Sequence, residues 1–258
     1  MSIKGKQANS RFIFESWKKS NALERFGIGK QYSVAQIELE RGGRNYKVSI
    51  KRDWSKYENS YFQKLDNGIY YIDLTEVYEV DSLLKRLDEL NTAKGIIFDI
   101  RGYLTFDYFK VLSHFITQKD TVNNWIRTPE IMLPNQVECS YHKTGWELEI
   151  RKPTIQVPMF FLTDGKAISA SESFLLFIKH YQIGKIIGEP TAGANGSRNW
   201  QQLLGDYSFH WTGQIVKKFN GSDFHNIGVI PDIFLYPKAS DWKQGKDTML
   251  EYAVNQFR

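Results

Sequence analysis

Pro158-Met-Phe-Phe-Leu-Thr163-Asp-Gly-Lys-Ala-Ile-Ser169-Ala-Ser-Glu172-Ser-Phe-Leu-Leu-Phe-Ile-Lys-His180 is the stretch whose reading decides the architecture. Pro158 to Leu162 is a short apolar run of strand length, a loop follows, and Ile168 to His180 reads as an apolar helix. Strand, loop and helix therefore follow one another with a serine at the helix entrance. The same alternation extends outward. Lys185 to Gly188 reads as the next strand. Upstream, Gly95-Ile-Ile-Phe-Asp-Ile100 is almost wholly apolar, as suits a strand covered on both sides, and Ile69 to Leu74 is another. Between these two, Leu83, Leu84, Leu87 and Leu90 share one helical face. Phe106 to Ile116 predicts a further helix, and residues 123–149 a hairpin or excursion. Lys246 to Phe257, with Met249, Leu250, Ala253 and Phe257 at helical spacing, predicts a closing helix. The pattern is that of an α/β layered core.

The first 55 residues read differently. Ala35, Ile37 and Leu39 alternate with polar residues, Arg41-Gly-Gly-Arg44 supplies a turn, and Tyr46, Val48 and Ile50 alternate again. This predicts a β-hairpin with one buried face. A helix over Asn9 to Arg25, bearing Phe12, Phe14 and Trp17, is expected before it. The expected division is a small module over residues 1–55 and a core domain over 56–258.

Bulk properties exclude several classes. Among 258 residues, 41% are hydrophobic and 24% charged, close to globular averages. The net charge of +5 comes from scattered basic pairs such as Lys51-Arg52 and Lys217-Lys218; without a basic run, no nucleic-acid partner is expected. The single cysteine, Cys139, leaves no internal disulfide. Neither a metal site nor a cofactor is expected. Apolar runs are far shorter than the ~20 residues of a membrane span, and Met1-Ser-Ile-Lys-Gly-Lys lacks the apolar core of a secretion signal.

Ser169 sits where unpartnered backbone N–H groups converge and the helix dipole adds partial positive charge. An oxyanion formed beside it would be stabilised, with the amide of Ala170 as one donor. Ser169-x-x-Glu172 is equally a capping box, and local chemistry leaves both readings open. Ser171 and Ser173 lie further into the helix and make poorer nucleophiles.

Four strings in order, Gly95-Ile-Ile-Phe-Asp-Ile-Arg-Gly102, Ser169-Ala-Ser-Glu172, Ile187-Gly-Glu-Pro-Thr-Ala-Gly193 and Gly228-Val-Ile-Pro-Asp-Ile233, resemble the tail-specific (C-terminal-processing) serine peptidase family. The resemblance covers the chain from about Gly68 onward. It implies a Clp-protease/crotonase-like core of stacked strand-helix units, a polypeptide substrate, Ser169 as nucleophile, and a periplasmic or cell-envelope setting. It places Glu172, Thr191, Gly193 and Ala194 around the site, and backbone donors for the oxyanion on Ala170 and in the Gly102 to Leu104 turn. The Ala35 to Ile50 hairpin resembles the last strands of a peptide-binding PDZ module.

Two departures from the family pattern matter. The lysine that serves as general base in the processing branch is replaced by Ala194, which has no proton to exchange. The wording Thr191-Ala-Gly-Ala-Asn-Gly196 is closer to tricorn-like and retinoid-binding-protein-like members, which implies a histidine base. His225, just before Asn226-Ile-Gly-Val-Ile-Pro-Asp232, is the preferred candidate among His114, His142, His180, His210 and His225; the alternative for it is a solvated loop residue. The loop after Asp99-Ile-Arg101 also holds one glycine, Gly102, where relatives hold two or more. These departures motivate a second reading, a catalytically silent peptide-binding protein on the same scaffold. A third is a crotonase-type acyl-thioester enzyme.

Overall fold

The structure, a computed structural model, describes residues 17–22, 28–52, 60–120, 122–131 and 139–257. In chain order the strands are β1 (Val34–Arg41), β2 (Arg44–Lys51), β3 (Phe62–Lys64), β4 (Ile69–Asp73), β5 (Gly95–Asp99), β6 (Ile126–Ile131), β7 (Cys139–Thr144), β8 (Met159–Thr163), β9 (Lys185–Gly188), β10 (Arg198–Gln202), β11 (Ser208–Thr212), β12 (Ile215–Val216) and β13 (Ile233–Phe234). The α-helices are α1 (Val80–Leu84), α2 (Leu87–Leu90), α3 (Tyr108–Leu112), α4 (Ala170–His180), α5 (Ala239–Lys243) and α6 (Thr248–Asn255).

A six-stranded sheet, ordered β13-β9-β8-β5-β4-β3, forms the core. Every pair is parallel except the antiparallel edge pair β3–β4. Both faces are covered, which is why the strands read as near-continuous apolar runs. Ile96, Phe98, Phe161 and Ile186 pack toward α4, whose Phe174, Leu175 and Phe177 are wholly buried. Ile69, Ile97, Leu162 and Ile187 face the opposite layer, formed by Met249 and Ala253 of α6 and by Phe257. Gly95 is required here by close approach: a Cβ on it would lie 2.0 Å from the Phe257 ring. This mixed α/β sheet with helices on both faces matches the expected class.

The expected helices are present but shorter. The leucine-rich stretch breaks into α1 and α2, and only 108–112 of the Phe106 to Ile116 segment is helical. Residues 123–149 contain the β6–β7 hairpin, joined at its edge by β12. The β1–β2 hairpin forms in the expected register, with Arg41 opposite Arg44. Its apolar face is not buried as predicted: Leu39, Tyr46 and Ile50 are exposed, because among the described residues the two strands pair only with each other and no layer covers them. The helix expected over Asn9 to Arg25 lies largely outside the described residues, of which 17–22 are helical.

At the carboxyl ends of β4 and β5 an ion network ties the sheet to α6. Arg101 donates from Nε to Asp99 at 3.0 Å and from Nη1 to Asp247 at 2.9 Å, while the Tyr71 hydroxyl donates to Asp99 at 2.8 Å. Asp99 is buried. Arg101→Met leaves that carboxylate without its counter-charge, and a loss of about 3–5 kcal/mol is expected in urea unfolding. A midpoint unchanged from the parent would show that the network contributes nothing net.

Candidate active site

Parallel strands deliver their carboxyl ends, and the loops that follow, to one edge of the sheet, where ligand sites of α/β folds gather. Beyond β8 a tight turn is closed by Asp164, whose Oδ1 accepts the Lys166 amide at 2.8 Å. The chain then reaches Ser169 with φ 55° and ψ −107°. A non-glycine residue at positive φ is strained, and three main-chain bonds hold it. The Ser169 N–H donates to the Ala194 carbonyl at 3.1 Å and to Glu172 Oε2 at 3.0 Å, and the Ser169 carbonyl accepts the Ser173 amide at 2.9 Å. Ser169 is half-buried rather than sealed in the core. The adjacent Ala170 opens α4, so its N–H is one of those left without a partner inside the helix.

Glu172 is the centre of this arrangement. Its side chain is fully buried, yet both oxygens are occupied. Oε1 accepts from the Thr191 hydroxyl and the Gly193 amide, each at 2.6 Å, and Oε2 accepts from the amides of Ser169 at 3.0 Å and Ala194 at 3.1 Å. Burial pushes its pKa up to about 7, against the opposing pull of these four donors. One carboxylate thus clamps the serine loop to the Thr191–Ala194 loop.

That second loop is held from behind by residues 226–229. Asn226 N–H donates to the Gly193 carbonyl at 2.8 Å, and Val229 N–H to Thr191 Oγ1 at 2.8 Å. Gly228, at φ +64°, makes the approach possible, since a Cβ there would lie 2.4 Å from Thr191 Oγ1. Gly228→Ala therefore combines backbone strain with a clash, and a stability loss of about 2–4 kcal/mol is expected by denaturant titration. A loss below the error of that titration would mean the loop can shift freely.

Ser171, passed over in the sequence, proves to be a strut. Its hydroxyl donates to the Gly102 carbonyl at 2.7 Å and accepts the Leu104 amide at 3.1 Å. The Leu104 N–H expected to face an oxyanion is thus turned inward onto Ser171, and the Gly102 carbonyl is spent on the same side chain. The same pair of bonds fixes the Gly102 turn against the first turn of α4. Ser173 plays a parallel part, accepting from Asn195 Nδ2 at 3.0 Å. The signal available beforehand was three consecutive polar residues, Ser171, Glu172 and Ser173, opening an otherwise apolar helix.

The histidines are dispersed. His225 lies beside Asn226 and so near the Gly193 loop, but its Nε2 accepts the Val216 amide at 2.9 Å. Burial depresses its pKa most; the Gln214 carbonyl and Asp223 oppose this and Lys217 reinforces it. His114 Nδ1 is paired with the Pro153 carbonyl, and His210 Nε2 with Ser208. His142 sits on exposed β7 and His180 at the end of α4. Among the described residues no hydrogen bond joins a histidine to Ser169, and Ala194 brings only backbone to the site.

A serine thus stands in a strained conformation at a helix entrance, beside a backbone turn fixed to the same helix. The family model "Peptidase family S41" matches residues 68–235, and the chain belongs to that family. It is 23% identical over 212 residues to the "Probable CtpA-like serine protease" of Staphylococcus saprophyticus subsp. saprophyticus, a match that covers 79% of this chain and 41% of that protein. The chain thus spans about two fifths of that relative's length. In fold it is similar to mature CPAF complexed with lactacystin (TM-score 0.65, 12% identity, 93% of this chain and 71% of that one). It is also similar to the photosystem II D1 C-terminal processing protease (TM-score 0.54, 18% identity, 81% and 57%). Among the described residues, no helix is long and apolar enough to cross a membrane.

Proposed function

We propose that this chain carries the catalytic core of a serine peptidase acting on polypeptides, with Ser169 as the nucleophile and a histidine, rather than a lysine, as proton acceptor. The observation that carries the reading is the conformation of Ser169: positive φ at a half-buried non-glycine residue, held by the Ala194 carbonyl and Glu172. Strain of that kind persists only where the surroundings enforce it. Ala170 N–H, with the Gly102 amide of the neighbouring turn, would receive the oxyanion; Leu104 is unsuited because Ser171 holds its amide. His225 is the candidate acceptor, since the residue after it is bonded to Gly193. To act it must release Val216, so Nε2 would exchange one partner for another. The absence of a lysine at Ala194 favours the tricorn-like and retinoid-binding-protein-like side of the family, and the β1–β2 hairpin would be the end of a PDZ-like peptide-binding module.

A second reading, a silent peptide-binding protein, is favoured by that same Val216–His225 bond, which occupies the proton acceptor. A fluorophosphonate probe separates the two. Labelling at Ser169 that falls at least about tenfold in His225→Gln supports the peptidase with this base. Failure to label Ser169 at any pH between 6 and 9 favours the silent protein, and equal labelling of His225→Gln removes His225 from the mechanism.

A further inference from the structure

At the far end of α4 from Ser169, a cavity of about 410 Å³ opens between the helix and the loop that follows β12. Its walls combine Leu176, Phe219 and Val229 with the cations Lys179 and Lys218 and the ring of His180. The apolar part is rigid: the Phe219 ring packs edge-on to Phe177, with centroids 4.9 Å apart, and to His180 at 5.3 Å. Lys218 is fixed at its backbone by a tight turn, its N–H donating to the Ser222 carbonyl at 3.0 Å and its carbonyl accepting the Gly221 amide at 2.7 Å.

The two ammonium groups are not equally compensated. Lys179 lies 3.6 Å from Asp232 and donates to the Ile230 carbonyl. Lys218, half-buried, has no ion pair or side-chain hydrogen bond among the described residues. The nearby Asp223 carboxylate is taken by Lys217. Burial and the neighbouring Lys179 both pull the Lys218 ammonium below its ordinary range, and Asp223 counters them by less. A partly desolvated cation facing a like charge is costly unless an anion joins it. With one of the two cations already compensated by Asp232, the site calls for a single negative charge. The apolar walls call for a hydrocarbon body behind that charge, and the volume falls within the range of small-ligand sites.

We propose that this cavity binds an organic carboxylate with an apolar body, its charge on Lys218 and its hydrocarbon part against Leu176 and Phe219. The carboxylate could belong to a free acid or to the terminus of a peptide; the chemistry recognised is the same. Binding here is independent of any reaction at Ser169. It is nonetheless connected to that loop, because Val229 in the cavity wall donates to Thr191, which donates to Glu172.

Calorimetric titration of the intact chain with 4-phenylbutyrate and with its neutral amide tests the site, alongside acetyl-Ala-Ala-Phe as free acid and as C-terminal amide. At least one acid should bind, with its amide at least about tenfold weaker, and Lys218→Met should weaken that acid by a similar factor. Lys218→Arg should restore affinity to within about threefold, which separates lost charge from lost fold. Binding of phenylbutyrate alone would identify a free acid as the source, and binding of the peptide acid alone a chain terminus. Equal binding of acid and amide, no heat from either acid, or full affinity in a folded Lys218→Met variant overturns the proposal.

Discussion

Ser169→Ala is expected to reduce hydrolysis of a denatured protein substrate by about 10⁴-fold or more, the scale on which loss of a serine nucleophile is felt. The thermal midpoint should fall by no more than the loss of one helix cap allows, about 1 kcal/mol, since the Ser169 side chain forms a capping box with Glu172. The reason lies in which atoms hold the loop: the bonds to Ala194, Glu172 and Ser173 all use the main chain of residue 169 and survive truncation of the side chain. Alanine also meets the positive φ with much the same strain as serine. Cleavage by the alanine variant at the parental rate would end the peptidase reading. A large drop in midpoint would instead show that the hydroxyl is structural.

Removing the Glu172 carboxylate should have the largest effect on the site's architecture. Glu172→Ala strands the Thr191 hydroxyl and the Gly193 amide in a buried space, removes the partner of the part-buried Ala194 amide, and leaves Ser169 N–H with the Ala194 carbonyl alone. A cost of about 3–5 kcal/mol is expected, with fluorophosphonate labelling of Ser169 lost even where the variant remains folded. The pH dependence carries a separate signature. The folded-state pKa of about 7 is above the ordinary value of 4.5, so between those values the native state keeps a proton that the unfolded chain has given up. This group's contribution is therefore fully present below pH ~4.5, declines as pH rises through the window, and is flat above ~7. From pH 4.5 to 8 the parent should lose about 3 kcal/mol more than Glu172→Gln, which cannot ionise. Identical slopes for the two proteins in urea unfolding across that range would refute the assignment.

The fold was legible because both faces of the central strands are covered: Ile96 to Phe98 and Phe160 to Leu162 had to be apolar at every position, and such runs are hard to mistake. The junction that carries Ser169 was legible for a similar reason, since a strand, loop and helix in succession are visible in one dimension. Partner assignments were not. That Leu104 turns inward depends on Ser171, 67 residues away, and that His225 turns toward Val216 depends on a short edge strand with no periodicity to announce it. The exposed face of the β1–β2 hairpin was misread because alternation shows that two faces differ, not that something covers one of them. Helix α3 stops short of its apolar spacing where the Ser113 and His114 carbonyls accept the amides of Arg151 and Ile155.

The clamp at Glu172 also orders events in time. Its four donors come from residue 169 and from residues 191 to 194, segments separated by a helix and a strand that must dock before either loop can be drawn in. Whatever reactivity Ser169 possesses is consequently withheld from a nascent or half-assembled chain, and it arrives only when β9 has joined the sheet.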